Sequence, residues 1–140
     1  MNKWMMAILS LLHKKAKPNI LDAKNCSVKV SENAETIWFE LLVRNVGSTG
    51  CAIVDIGLEW PRGAYAELGC EGSTPLPFNI LPDQTERVVV YGFSHKRYGF
   101  GPACRLKIGR KDKTIAGKAT VRFNTNYTIK KRIIFNIIRK

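Results

Sequence analysis

The chain's 140 residues suit a single domain, and a hydrophobic content of 45% excludes a disordered chain and a bundle of membrane spans. Its net charge of +12 is unevenly placed. Residues 1–24 hold five Lys or Arg against Asp22, residues 25–95 hold four against nine acids, and residues 96–140 hold fourteen against Asp112. The segment charges are therefore +4, −5 and +13, a basic last third on a mildly acidic body. Such asymmetry points to a polyanion, an anionic membrane surface or an acidic partner, or else to solubility alone.

Trp4 to Leu12 is an apolar run between Lys3 and the cluster Lys14, Lys15 and Lys17. Nine residues do not span a bilayer, which needs about 20. On a helical projection Lys3, Ala7, Ser10 and Lys14 share a narrow stripe, and Trp4, Met5, Ile8, Leu9 and Leu12 belong to a wide apolar face. The spacing predicts an amphipathic helix over residues 1–18, ended by Pro18. It serves either as an in-plane anchor on a membrane or as a helix docked on its own domain or a partner.

Strands follow. Cys26, Val28 and Val30 alternate with polar residues, and Ser31 to Asn33 reads as a turn. The central pair comes next: Ile37, Phe39, Leu41 and Val43 alternate along one strand, and Ala52, Val54, Ile56, Leu58 and Trp60 along another. Asn45, Gly47, Ser48 and Gly50 lie between them, the pattern of strand, tight connection and strand. Pro61 to Asn79 holds too many breakers for a central strand and leaves room for one short edge strand near Ala64–Leu68. Glu86 to Tyr91 resumes after Pro82-Asp83, then a glycine-rich loop reaches Pro102. Cys104, Leu106 and Ile108, then Ile115, Gly117, Ala119, Val121 and Phe123, alternate in the same way. In Thr128–Ile138, Ile129, Ile133, Phe135 and Ile137 share one face of an extended segment and scatter on a helix, so an added strand is expected. About seven short strands, with no helix in the body, predict an all-β fold: a single Ig-like antiparallel β-sandwich over residues 25–124. The helix of residues 1–18 and a basic, isoleucine-rich segment, residues 125–140, flank it.

Three phrases of this body, FELLVRNVGSTG (Phe39–Gly50), NILPDQTERVVV (Asn79–Val90) and the late pair RLKIG and KATVRF, resemble the bacterial and archaeal Ig-like modules known as cell-adhesion-related, or CARDB-like, domains. The resemblance covers residues 26–123 and implies an Ig-like, non-catalytic module of cell-surface or envelope proteins. Asp83 stands where glycine is usual in those modules, and KKRIIFNIIRK replaces their acidic ending.

Chemistry has few players here. Cys26, Cys51, Cys70 and Cys104 form no CxxC pair and have no histidine at zinc-finger spacing, and the acids follow no calcium-loop spacing. No metal or other cofactor is expected. His13 lies in the basic end of the N-terminal segment, and His95 in a loop with Lys96 and Arg97. A Cys70–His95 pair would lack an orienting third residue, so no enzyme is expected. Parity places Cys26 and Cys104 inward and Cys51 outward, and free thiols are expected.

Parity also defines two outer faces. With the odd residues of the first central strand inward, Trp38 and Leu42 face out, and the neighbouring strand adds Val89 and Tyr91. This apolar docking patch needs a cover. The other sheet shows a basic face, with Arg105, Lys107, Lys118 and Arg122, continued by Lys130, Lys131 and Arg132. That face is either polyanion-binding or a solvated surface of cross-strand ion pairs with Asp55 and Glu59. The expected function is a non-enzymatic interaction module, associated with a membrane surface or a protein assembly at the membrane or cell envelope. The alternative is a nucleic-acid- or polyanion-binding protein, cytoplasmic, using the basic last third.

Overall fold

The computed structural model describes residues 16–30, 34–60, 66–95 and 108–139, without the side chains of Ala34, Ser94 and His95. The described residues form eight strands: β1 (Pro18–Val30), β2 (Ala34–Asn45), β3 (Cys51–Glu59), β4 (Glu67–Leu68), β5 (Phe78–Ile80), β6 (Thr85–His95), β7 (Thr114–Phe123) and β8 (Thr128–Arg139). No helix occurs among the described residues, so the all-β expectation holds. The predicted N-terminal helix and the predicted strand at Cys104–Leu106 lie outside the described residues.

The strands do not divide into the two sheets of the expected sandwich. They are hydrogen-bonded side by side in one sheet, ordered β4-β6-β2-β1-β8-β7-β3-β5. Every pairing is antiparallel except β1 with β8, which run parallel from Ser27↔Asn136 to Val30↔Arg139. The sheet is therefore mixed, where a purely antiparallel one was expected. It curls into a half-barrel that brings β3, near one edge, close to β4 at the other.

The concave side holds the core. Ile37, Phe39, Leu41 and Val43 of β2 are fully buried and meet Val88 and Val90 of β6, Val28 of β1 and Val121 and Phe123 of β7. β2 and β6 pair directly, with Trp38 opposite Tyr91 and Leu41 opposite Val88, as their alternation indicates. The last strand is the departure. Residues 125–140 were expected beside the body, yet β8 lies in mid-sheet between β1 and β7. Its Phe135 packs edge-on against Phe39, with ring centres 5.6 Å apart, and lies 5.1 Å from the Trp60 ring. The period-2 pattern that made this segment a strand also gave it a face apolar enough for the centre of the core.

β3 departs from simple alternation. Ile53 pairs with Phe123 and Asp55 with the adjacent Arg122, so two residues of β3 oppose one of β7. This bulge inverts the parity: Cys51 and Ile53 are buried before it, Ile56 and Trp60 after it. Val54, expected inward, is only half-buried, and Cys51, expected outward, is in the core.

One polar side chain is fully enclosed in this apolar setting. Asn45 Oδ1 accepts from the backbone N–H of Lys17 and of Gly47, both at 3.0 Å. Its Nδ2 donates to the carbonyls of Thr49 (2.8 Å) and Ile80 (3.3 Å). Its own backbone N–H donates to Gln84 O, and its carbonyl accepts from Asp83 N–H. Asn45→Ala would remove the side-chain partner of the Lys17 and Gly47 N–H groups and of the Thr49 and Ile80 carbonyls, and should lower stability by about 2–4 kcal/mol. A denaturant midpoint within experimental scatter of the parent would contradict this role.

Candidate interaction surfaces

Asn45 gathers several elements at one end of the half-barrel: the start of β1, the β2–β3 connection, the end of β5 and the β5–β6 connection. Asp83, in the last of these, has φ of +59°, the left-handed conformation that glycine takes most readily. Its carboxylate lies 4.0 Å from Arg44, an exposed pair of small energetic weight. A second asparagine closes the same end on the other side. Asn124 Oδ1 accepts from Ala52 N–H at 3.0 Å while its own N–H donates to Ala52 O at 3.0 Å. The β7–β8 connection is thereby fixed beside the start of β3.

The predicted apolar patch is assembled. Trp38 and Tyr91 face each other across β2 and β6 as an edge-on pair with centres 6.0 Å apart, and Leu42 and Val89 lie along the same outer face. All four are half-buried. Between them Glu40 is almost wholly buried, its carboxylate accepting from Asn25 Nδ2 of β1, where Asn25 itself has φ of +54°. The apolar residues of the N-terminal run that were expected to cover such a face (Trp4, Met5, Ile8, Leu9 and Leu12) lie outside the described residues.

The basic residues assemble in part. Lys118, Arg122, Lys130 and Arg132 are exposed on the outer face of β7 and β8, with Lys118 opposite Arg132. Lys131 has the opposite parity and is half-buried on the concave side, opposite Ala119. Arg105 and Lys107 lie outside the described residues. On β3, Glu59 sits opposite Lys118 and Asp55 opposite Arg122, and Glu59 also lies 4.0 Å from Lys130. The acids of the sheet thus answer three of these cations, as in a solvated face of cross-strand pairs.

Where the sheet edges approach, a groove of about 300 Å³ runs between Asp55 and Ile56 of β3 and the 69–76 segment, and adjoins a wider hollow flanked by Leu58, Glu59 and Glu67. The 69–76 segment seals the edge of β6. Ser73 Oγ accepts from Tyr91 N–H at 2.9 Å and donates to its carbonyl, and Thr74 Oγ1 accepts from Val89 N–H at 2.9 Å. Higher up, β4 crosses Gly92 so closely that a Cβ there would fall on the carbonyl oxygen of Glu67. Among the described residues no group of three or more His, Cys, Asp or Glu side chains could hold a metal ion.

No family model and no curated protein matches this chain. Among the solved structures, two PCuAC domains are distantly similar to it. A copper-bound PCuAC domain from PmoF2 covers 90% of this chain and 99% of its own length, at TM-score 0.46 and 7% identity. An apo PCuAC domain from PmoF1 covers 90% and 100%, at TM-score 0.44 and 13% identity. Likeness at this distance transfers no ligand to the present chain.

Cys26, Cys51 and Cys70 are free thiols, and burial pushes the pKa of each upward. At Cys26 a backbone hydrogen bond at Glu40 partly opposes burial, while at Cys70 the charge of Glu67 adds to it. The His95 side chain, Cys70's conceivable partner, lies outside the described residues, as does Cys104. Alkylation of the native chain near pH 8 should modify half-buried Cys70 first, and Cys26 and Cys51 only as fast as the sheet unfolds. Peptide mapping that finds Cys51 reacting as fast as Cys70 would contradict the inverted parity of β3.

Proposed function

We propose that this chain is a non-enzymatic interaction module held at a membrane surface. The observation that supports it best is the point at which the chain enters the fold. Lys17 is pinned at both ends of its backbone, its N–H to Asn45 and its carbonyl to Val46 N–H at 3.0 Å. In the sequence, the apolar run of residues 4–12 and then Lys14 and Lys15 come shortly before this anchored residue. An amphipathic helix there, followed by a cationic cluster, has the chemistry of an interfacial anchor for anionic lipid.

The patch of Trp38, Leu42, Val89 and Tyr91 gives the same helix a resting place when no membrane is present. The two uses draw on the same apolar side chains, so they compete. Membrane binding is then the release of the helix from the sheet and its insertion in the interface. The sheet stays folded throughout, because its core lies on the concave side and does not include that patch.

Vesicle flotation of the full chain tests this reading. The parent should float with vesicles containing phosphatidylglycerol, and Ile8→Ser combined with Leu12→Ser should weaken binding by about tenfold or more, since two large apolar side chains are lost from the interface. Trp38→Ser should float more readily than the parent, because the competing site is impaired. A parent chain that stays at the bottom of the gradient would refute the membrane reading. Unchanged flotation of Trp38→Ser would refute the resting place.

A further inference from the structure

Three connections meet at the end where the chain enters β1: residues 46–50, 81–84 and 124–127. Asn45 ties the first two together, and Asn124 fixes the third to β3 beside them. Each carries one large apolar side chain turned to solvent. Val46 is 53% exposed, Leu81 61% and Tyr127 51%.

Charge is nearly absent from these connections. Their thirteen positions include one charged residue, Asp83, although 24% of the whole chain is charged, and Asp83 has Arg44 as its counter-ion. The opposite end is built differently. In the turn that precedes β7, positions 110–113 are Arg, Lys, Asp and Lys. That turn is held to the end of β8 by Arg139, whose guanidinium donates to the carbonyls of Gly109 and Asp112 at 2.6 Å. In a strongly basic protein, one end has thus shed charge while presenting apolar tips, whereas the described turn at the other end, residues 110–113, is charged at every position.

We infer that the uncharged end is a bilayer-contacting surface, on which Val46, Leu81 and Tyr127 enter the interfacial region of an anionic membrane and the strands stand upright on it. The inference rests on the membrane reading above and adds the orientation and the contact residues of the folded part. A tyrosine suits the interface, where its ring is buried and its hydroxyl stays wet. Val46 and Leu81 supply apolar area, and Ser48, Thr49, Thr125 and Asn126 supply neutral polar groups at headgroup depth. Lys17, exposed just before β1 and bonded through its carbonyl to Val46 N–H, complements anionic headgroups at this same end. A bilayer fits better than a protein partner because the three tips rise from separate connections with polar residues between them. A protein interface would offer a continuous apolar centre.

Hydrogen exchange of the full chain, with and without vesicles of equal parts phosphatidylcholine and phosphatidylglycerol, tests the orientation. Exchange should slow at 46–50, 81–84 and 124–127 on binding, and stay unchanged at 110–113. The triple variant Val46→Ser, Leu81→Ser, Tyr127→Ser should melt like the parent and lose about tenfold in vesicle partition, whereas Ile134→Ser with Ile138→Ser should stay within about twofold. If the parent floats and the triple variant floats equally well, this inference falls and the membrane reading stands. Slowing along β7 and β8 in place of the three connections would overturn it in the same way. So would a triple variant that changes only the oligomeric state, because the end would then be an interface between copies. A parent chain that ignores vesicles sinks both.

Discussion

Asn45 is the constraint on which the rest of this structure depends. It is the only fully enclosed polar side chain among the described residues, and its amide has a partner at every position it can use. A buried amide left short of one partner costs more than a made hydrogen bond contributes, so the four segments around it are held to an arrangement that avoids the penalty. That arrangement brings the start of β1, the β2–β3 connection and the end of β5 to one point. Lys17 is thereby held at that end of the half-barrel, by its N–H and by its carbonyl.

The curl of the sheet then decides which surfaces remain for function. The concave side is closed by aromatic contacts centred on Phe135, so binding falls to the outer faces and the ends. On the outer face of β7 and β8, three of the four cations named above lie beside Asp55 or Glu59. The edge of β6 is satisfied by Ser73 and Thr74, which removes the unpaired edge that strand addition would need there. Two apolar surfaces remain: the outer patch of Trp38, Leu42, Val89 and Tyr91, and the end around Asn45, apolar at its tips and nearly free of charge.

Much of the fold was legible in the sequence because period-2 alternation survives in β2, β6, β7 and β8. Trp38 opposite Tyr91 followed from parity once β2 and β6 were neighbours. Other features had no such signal. A half-barrel and a sandwich both bury one face of each strand, so Val28, Phe39 and Val121 read the same in either, and the pairing of first with last strand is invisible to local pattern. The bulge at Ile53–Asp55 is a two-for-one step set by β7, and it moved Cys51 into the core against its parity. β1 begins eight residues before the expected strand, because Asp22, Lys24 and Asn25 interrupt its pattern where the register shifts. Asn45 read as an ordinary turn residue, since its hydrogen bonds reach Lys17 and Ile80, far away in the chain. The apolar tips could be listed from the sequence, but only the topology places them at one end.

The central claim is that the sheet stands on the membrane by the end that Asn45 organises. Neutron reflectometry of the full chain bound to a supported anionic bilayer measures this directly as the thickness of the protein layer. The twelve residues of β8 span about 40 Å at roughly 3.3 Å each, so upright strands predict a layer of about that depth. A layer much thinner than the strands are long would mean that the half-barrel lies on its side, and would contradict the account.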